Sequence, residues 1–145
     1  MPDQLKLDEL YLDLAGRLSL MSHARRKKVG ALVVKGTNII SMGWNGTPAG
    51  EDNCCEVVDQ DGSLSTKPRV LHAEWNAVQK LKELNEDGKL NGSTLYLTLS
   101  PCSSCTDLII QNKIARVVFR ETYRDVGGIS SLKDEGIIVE QLEGN

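Results

Sequence analysis

Aromatic side chains are scarce in this 145-residue chain: two Trp, three Tyr and one Phe, or 4%. A basic surplus is missing too. Lys and Arg number 17 against 20 Asp and Glu, giving a formal net charge of -3 and a pI near 5.4. Proteins that grip nucleic acid rely on basic surfaces and stacking rings, so both shortages count against such a partner. No apolar run reaches the ~18 residues needed to cross a bilayer. The opening Met1 to Leu10 lacks the basic start and apolar centre of a signal peptide. A cytoplasmic protein with no membrane partner is therefore expected. Internal repeats, low-complexity tracts and linkers are absent as well, and residues 1–145 read as one domain with one core.

Four cysteines are present. In a reducing compartment, clustered cysteines more often bind metal or catalyse than form disulfides. Cys54 and Cys55 are adjacent, a spacing that rarely serves one ion, and they read as structural or incidental. Cys102 and Cys105 are different, because Cys-x-x-Cys at a helix start points both sulfurs to one side. That pair is half of an ordinary zinc site.

Periodicity places the remaining elements. Leu7, Leu10, Tyr11, Leu14, Ala15 and Leu18 recur at helical spacing over residues 4 to 21, with Asp3 as N-cap and the apolar stripe as core face. His23 to Lys28 carries four basic residues, read as a solvated loop unless one arginine turns inward to a phosphate. Residues 29–34 and 38–44 are rich in Val and Ile and flank Lys35-Gly36-Thr37, which predicts an antiparallel hairpin. Asn45 to Gly50 forms a sharp loop, and no periodicity survives from residue 51 to 69. A helix follows over 72–85, with Ala73, Ala77, Leu81 and Leu84 on one side and Gly88 past its end. Then come a strand at 94–99, a helix at 102–112 opened by Pro101, a strand at 115–119, a short helix near Ser131 and a strand at 137–140. Strands joined through helices imply parallel neighbours, and the whole reads as a mixed five-stranded sheet covered by helices on both faces.

His72 and Glu74 sharpen the metal reading. Two residues apart they lie roughly 200° around a helix, so they serve one site only at a helix tip. His72 with Cys102 and Cys105 makes three protein ligands, which leaves a fourth position open, as catalytic zinc sites do. Taken singly, the Cys pair could be a redox couple, His72 a surface residue and Glu74 a first-turn carboxylate. Their combination, with Pro101 before the first Cys, favours a catalytic centre.

The pattern H-x-E…P-C-x-x-C is the signature of zinc-dependent nucleobase deaminases. His72 to Ala77, Thr98 to Cys105 and Gly43 to Gly50 together resemble the cytidine deaminase superfamily, and within it the deoxycytidylate (dCMP) deaminase branch. The resemblance runs from about Leu10 to Val139. It implies a three-layer α/β/α fold, one catalytic Zn²⁺ per chain on His72, Cys102 and Cys105, and Glu74 as the catalytic proton carrier. It implies hydrolysis of dCMP to dUMP and ammonia, supplying thymidylate synthesis. The Ala73 N–H would face the base O2, the Ser100 carbonyl would accept from the amino group, and Asn45 would bind the sugar hydroxyl. Arg26 would hold the 5′-phosphate, with Arg25, Lys27 and Arg120 as alternatives, and Tyr123 would close over the substrate. A homohexamer activated by dCTP and inhibited by dTTP, with Mg²⁺ on the effectors, is the further implication. Some members carry a second, structural zinc and a long insert. Here the stretch from Cys55 to Leu71 is short and Ala24 stands where a cysteine ligand would be expected.

Two other readings compete. One is a zinc deaminase for another substrate, such as a cytidine nucleoside, a tRNA base or another heterocycle. The other is a zinc module in which the metal only stabilises the fold, and Glu74 beside an open position argues against it.

Overall fold

Alternation along a single strand sorts the core into two layers. The computed structural model describes residues 3–24, 27–46, 56–58, 60–66, 72–122 and 127–143. Strand β1 (Gly30–Lys35) pairs antiparallel with β2 (Asn38–Trp44), as the hairpin signal predicts. Successive β1 side chains point to opposite faces. Leu32 and Val34 join Tyr11, Leu12, Ala15 and Tyr96 under helix α1 (Gln4–Ser19). Ala31 and Val33 join Ala73, Ala77, Leu97 and Ile109 under α2 (Ala73–Glu83) and α3 (Ser103–Gln111).

The five-stranded sheet has the order β2-β1-β5-β6-β7, with β5 at Thr94–Leu99, β6 at Arg116–Glu121 and β7 at Ile138–Gln141. Helix α4 (Gly127–Asp134) adds Leu132 to the core on the α2 side. This is the expected mixed sheet with helices on both faces. One connection departs from the expectation. β5 runs parallel to β2, but β1 lies between them, so the neighbour of β5 on that side is antiparallel. The later pairs, β5 with β6 and β6 with β7, are parallel. Because β2 and β5 point the same way, the helices that follow each begin at the same end of the sheet. The site is built there.

Helix α1 is rotated by about one residue from the expected stripe. Leu10 and Leu14 are exposed, while Asp8, Tyr11, Leu12, Ala15 and Ser19 are buried. Asp8 reads as a surface residue from sequence, but distant partners make its burial affordable. Arg116 donates through both terminal nitrogens to its two carboxylate oxygens at 2.9 and 2.6 Å. The Tyr96 hydroxyl donates at 2.5 Å and Gln4 at 2.9 Å. Arg116 Nε donates onward to Glu140 at 2.8 Å, tying α1 to three strands. A bidentate guanidinium pair of this kind satisfies a buried carboxylate.

Smaller differences have local causes. Residues 51–69 contain a short antiparallel hairpin, β3 (Glu56–Val58) with β4 (Leu64–Thr66), whose three-residue strands are too brief for alternation to register. Helix α2 ends in a left-handed Asn85 at φ 56°, and Gly88 sits instead in a 3-10 turn, Asp87–Leu90. Leu84, placed on the core side by periodicity, is exposed at that helix end. Pro101 does not sit in the first turn of α3; Cys102 is the N-cap and Pro101 precedes it. Among the described residues, no helix is long and apolar enough to cross a membrane.

Candidate active site

Two helix tips meet at the sheet end. His72 is the N-cap of α2 with extended backbone, φ -75° and ψ 155°, and Cys102 is the N-cap of α3 with φ -81° and ψ 167°. Neither side chain caps its own helix. Each turns outward instead, and Cys102 Sγ lies 3.8 Å from His72 Nδ1. One turn on, Cys105 Sγ joins them, so that all three donor atoms lie within 4.8 Å of one another. A tetrahedral zinc with Zn–S near 2.3 Å and Zn–N near 2.0–2.1 Å needs S···N edges of about 3.6 Å and S···S edges of about 3.8 Å. The donor set fits zinc in chemistry, and the His72–Cys102 edge fits it in spacing.

Close backbone contact positions both tips. A Cβ on Gly43 of β2 would lie 2.6 Å from the Ala73 carbonyl, so α2 can rest directly on the strand. A Cβ on Gly128 would lie 2.7 Å from the Pro101 carbonyl, which lets the start of α4 support the Cys102 turn. The Ser100 N–H donates to the Glu121 carbonyl at 2.8 Å and anchors the end of β5. Any side chain at Gly43 or Gly128 would push a ligand away.

Glu74 is the second residue of α2 and only 4% exposed. Burial pushes its carboxyl above the usual carboxylate range, and its backbone hydrogen bond and the charge of His72 only partly oppose this. Its side chain also hydrogen-bonds with Cys105. The two thiols are driven apart in acidity. Hydrogen bonds from Cys105 and His72 pull Cys102 down to about 3, while the bond to Cys102 and burial push Cys105 up. The bond to Cys102 raises His72 against the effect of burial. A coordinated metal would favour both sulfurs as thiolates. The Ser104 hydroxyl lies 2.8 Å from Cys102 Sγ.

Other residues singled out from sequence have mixed fates. Ala73 and Ser100 are buried beside the two tips. Asn45 closes β2, and its amide is already engaged: it donates to the Lys27 carbonyl and accepts from the Val29 N–H, both at 2.9 Å. Lys27 pairs with Glu121 at 2.6 Å, both side chains well exposed. Arg120 lies on the α1 face, where it donates to Asp13 at 3.0 Å, so strand alternation carries it away from the metal side. Arg25, Arg26, Tyr123, Cys54 and Cys55 lie outside the described residues. Gly43, Gly128, Asn76 and Ser104 escaped the sequence reading as functional positions. Gly43, Asn76 and Ser104 do fall inside the segments that carry the resemblance.

Residues 5–121 match the family described as the cytidine and deoxycytidylate deaminase zinc-binding region. The deoxycytidylate deaminase of Enterobacteria phage T4 is 33% identical over 147 residues, covering 77% of this chain and 76% of the relative. That of Mycobacterium phage D29 is 37% identical over 122 residues, covering 77% and 92%. The crystal structure of dCMP deaminase from the cyanophage S-TIM5, in complex with dCMP and dUMP, superposes with a TM-score of 0.87 at 43% identity. It covers 98% of this chain and 99% of that one.

Proposed function

Since the chain belongs to the cytidine and deoxycytidylate deaminase zinc-binding family, we propose that it hydrolyses dCMP to dUMP and ammonia as a single deaminase domain over residues 1–145. The observation that carries this reading is a buried carboxyl, Glu74, whose proton affinity burial raises, set against a His/Cys/Cys donor set that suits zinc. The complex of the S-TIM5 enzyme with dCMP and dUMP supports the choice of substrate.

His72, Cys102 and Cys105 would hold the ion, which when bound acts as a Lewis acid that makes water a nucleophile near neutral pH. Glu74 carries the protons. It takes one from the attacking water and passes it to ring N3, then helps protonate the departing amino group. The C4–N bond breaks, a C4–O bond forms, and of the two water protons one ends on ring N3 and the other on ammonia. The buried Ala73 N–H is assigned to the base O2 and the Ser100 carbonyl to the amino group. Asn45 is assigned to the sugar hydroxyl: its two bonds to the 27–29 backbone leave one N–H and one lone pair, the complement of a hydroxyl. Arg26 is assigned to the phosphate and Tyr123 to the cover over the substrate.

The finer proposals follow the family. The product feeds thymidylate synthesis in the cytoplasm, where thiol ligands stay reduced. The enzyme is a homohexamer activated by dCTP and inhibited by dTTP, with Mg²⁺ on the effectors. Ammonia release from dCMP, deoxycytidine and a cytidine-containing oligonucleotide tests the substrate. Release from dCMP alone is expected, and release from the oligonucleotide alone would overturn the reading. Rate curves against dCMP that stay unchanged with dCTP and dTTP would remove the regulation.

A further inference from the structure

Helix α2 is fastened to β2 by two bonds of the same kind, one turn apart. Asn76 Nδ2 donates to the Trp44 carbonyl at 2.7 Å. Lys80 Nζ donates to the Met42 carbonyl, also at 2.7 Å, with its ammonium 5.0 Å from the centre of the Trp44 ring. Both acceptors belong to the edge strand of the sheet, where unpaired carbonyls invite other strands. Capping that edge would explain both bonds equally well.

What each bond adjoins separates them. The N–H of Asn76 donates to the His72 carbonyl at 3.0 Å and closes the first turn of α2, which carries Glu74. Its side chain grips Trp44, the residue before Asn45. Asn45 is in turn held by Val29, Lys27 and the Ser22 hydroxyl, which donates to its carbonyl at 2.7 Å. Asn76 thus touches the ligand tip through its backbone and the Asn45 wall through its side chain. Lys80 meets Trp44 only over its ring, donates its hydrogen bond to Met42 further from Asn45, and stands a full turn beyond the first turn of α2. Between the two acceptors Gly43 lets the helix and strand backbones meet without a gap, so a shift at this joint passes to the tip.

We infer that Asn76 is a positioning residue for the reaction, coupling the α2 tip with His72 and Glu74 to the strand end that carries Asn45, whereas Lys80 only caps the sheet edge. Reacting groups on separate elements must be held to a fraction of an ångström, and a misplacement of about 1 Å costs on the order of 100-fold in rate. The kinetic part of the inference rests on the deaminase reading; the structural part does not.

The test compares Asn76→Asp and Asn76→Ala with Lys80→Met, which keeps the aliphatic stem and loses the donor. Asn76→Asp keeps the shape and replaces the donor with an oxygen facing the carbonyl. For each, kcat and KM for dCMP, bound zinc, Tm and the visible spectrum of the Co(II)-substituted protein are measured. Both Asn76 variants are expected to hold one metal per chain, to lose about 10–100-fold in kcat and to shift the Co(II) bands. Lys80→Met is expected to stay within about twofold of the parent in kcat, with an unchanged spectrum. Equal effects at the two positions would overturn the inference, as would an Asn76→Asp variant with parental kcat and spectrum. Asn76 is only half-buried, so unfolding of both its variants beside a folded Lys80→Met would also count against it, because the bond would then hold the fold rather than the site. A parent without turnover of dCMP would sink the deaminase reading, and the inference would then stand or fall on the Co(II) spectra.

Discussion

The protein buries two carboxyl groups to almost the same degree on opposite faces of its sheet, and they have opposite acidities. Asp8, under α1, is 3% exposed; Glu74, at the tip of α2, is 4% exposed. Burial pushes Asp8 up, but hydrogen bonds from Arg116, Tyr96 and Gln4 outweigh it and hold the carboxyl below the usual range. Among the described residues Glu74 has no guanidinium against it; its partners are His72 and the two thiols, and its carboxyl is raised. Burial sets only the cost of the charge, and the partner decides whether that cost is met. Asp8 is thereby a fixed anion that joins elements, and Glu74 a group able to gain and lose a proton.

The contrast can be broken at either face. The largest effect is expected from Cys105→Ala, which removes a donor from the metal set: zinc content should fall below one per chain and ammonia release to assay background. Glu74→Gln should retain zinc and lose about 10²–10⁴-fold in kcat, the usual worth of general acid–base catalysis. Full activity in that variant would remove Glu74 from the mechanism.

Asp8→Ala should do the reverse, leaving the activity of the folded fraction unchanged while destabilising the chain. Removing one partner of a buried ion pair costs about 3–5 kcal/mol, measurable by urea unfolding. pH sharpens the same point. The folded Asp8 carboxyl is depressed below its ordinary 3.8, so its contribution is fully present above that value and is lost as pH falls through the folded value. Between pH 5 and 3 the parent should lose more stability than Asp8→Asn, whose amide does not titrate; parallel curves would refute the assignment. The smallest effect separates the two sides of α1. Leu10→Gln, at an exposed position, should stay within about 0.5 kcal/mol of the parent, whereas Leu12→Ala should cost about 2–5 kcal/mol.

Particular residues show where sequence reading reached. The hairpin at β1 and β2, the strand at Thr94–Leu99 and the helices that begin after His72 and Cys102 were legible because each signal is local. So was the donor set, since Cys102 and Cys105 share a side at helical spacing whatever surrounds them. Asp8 was illegible: its partner Arg116 is 108 positions away, and a lone Asp in an amphipathic stripe reads as surface. Gly43 and Gly128 looked like ordinary glycines until the carbonyls of Ala73 and Pro101 appeared beside them. Arg120 was a candidate for phosphate until strand parity put it on the other face.

His72 with Glu74, and Cys102 with Cys105, were determined by the sequence itself, because the period of a helix dictates how residues two or three apart present their atoms. That the two pairs meet was decided only by the tertiary structure. Their approach depends on β2 and β5 running the same way with β1 between them, so that both following helices start at one end of the sheet. The opposite acidities of Asp8 and Glu74 were decided there too, since a carboxyl's proton affinity is set by whatever the fold brings against it, and chain neighbours alone do not supply that.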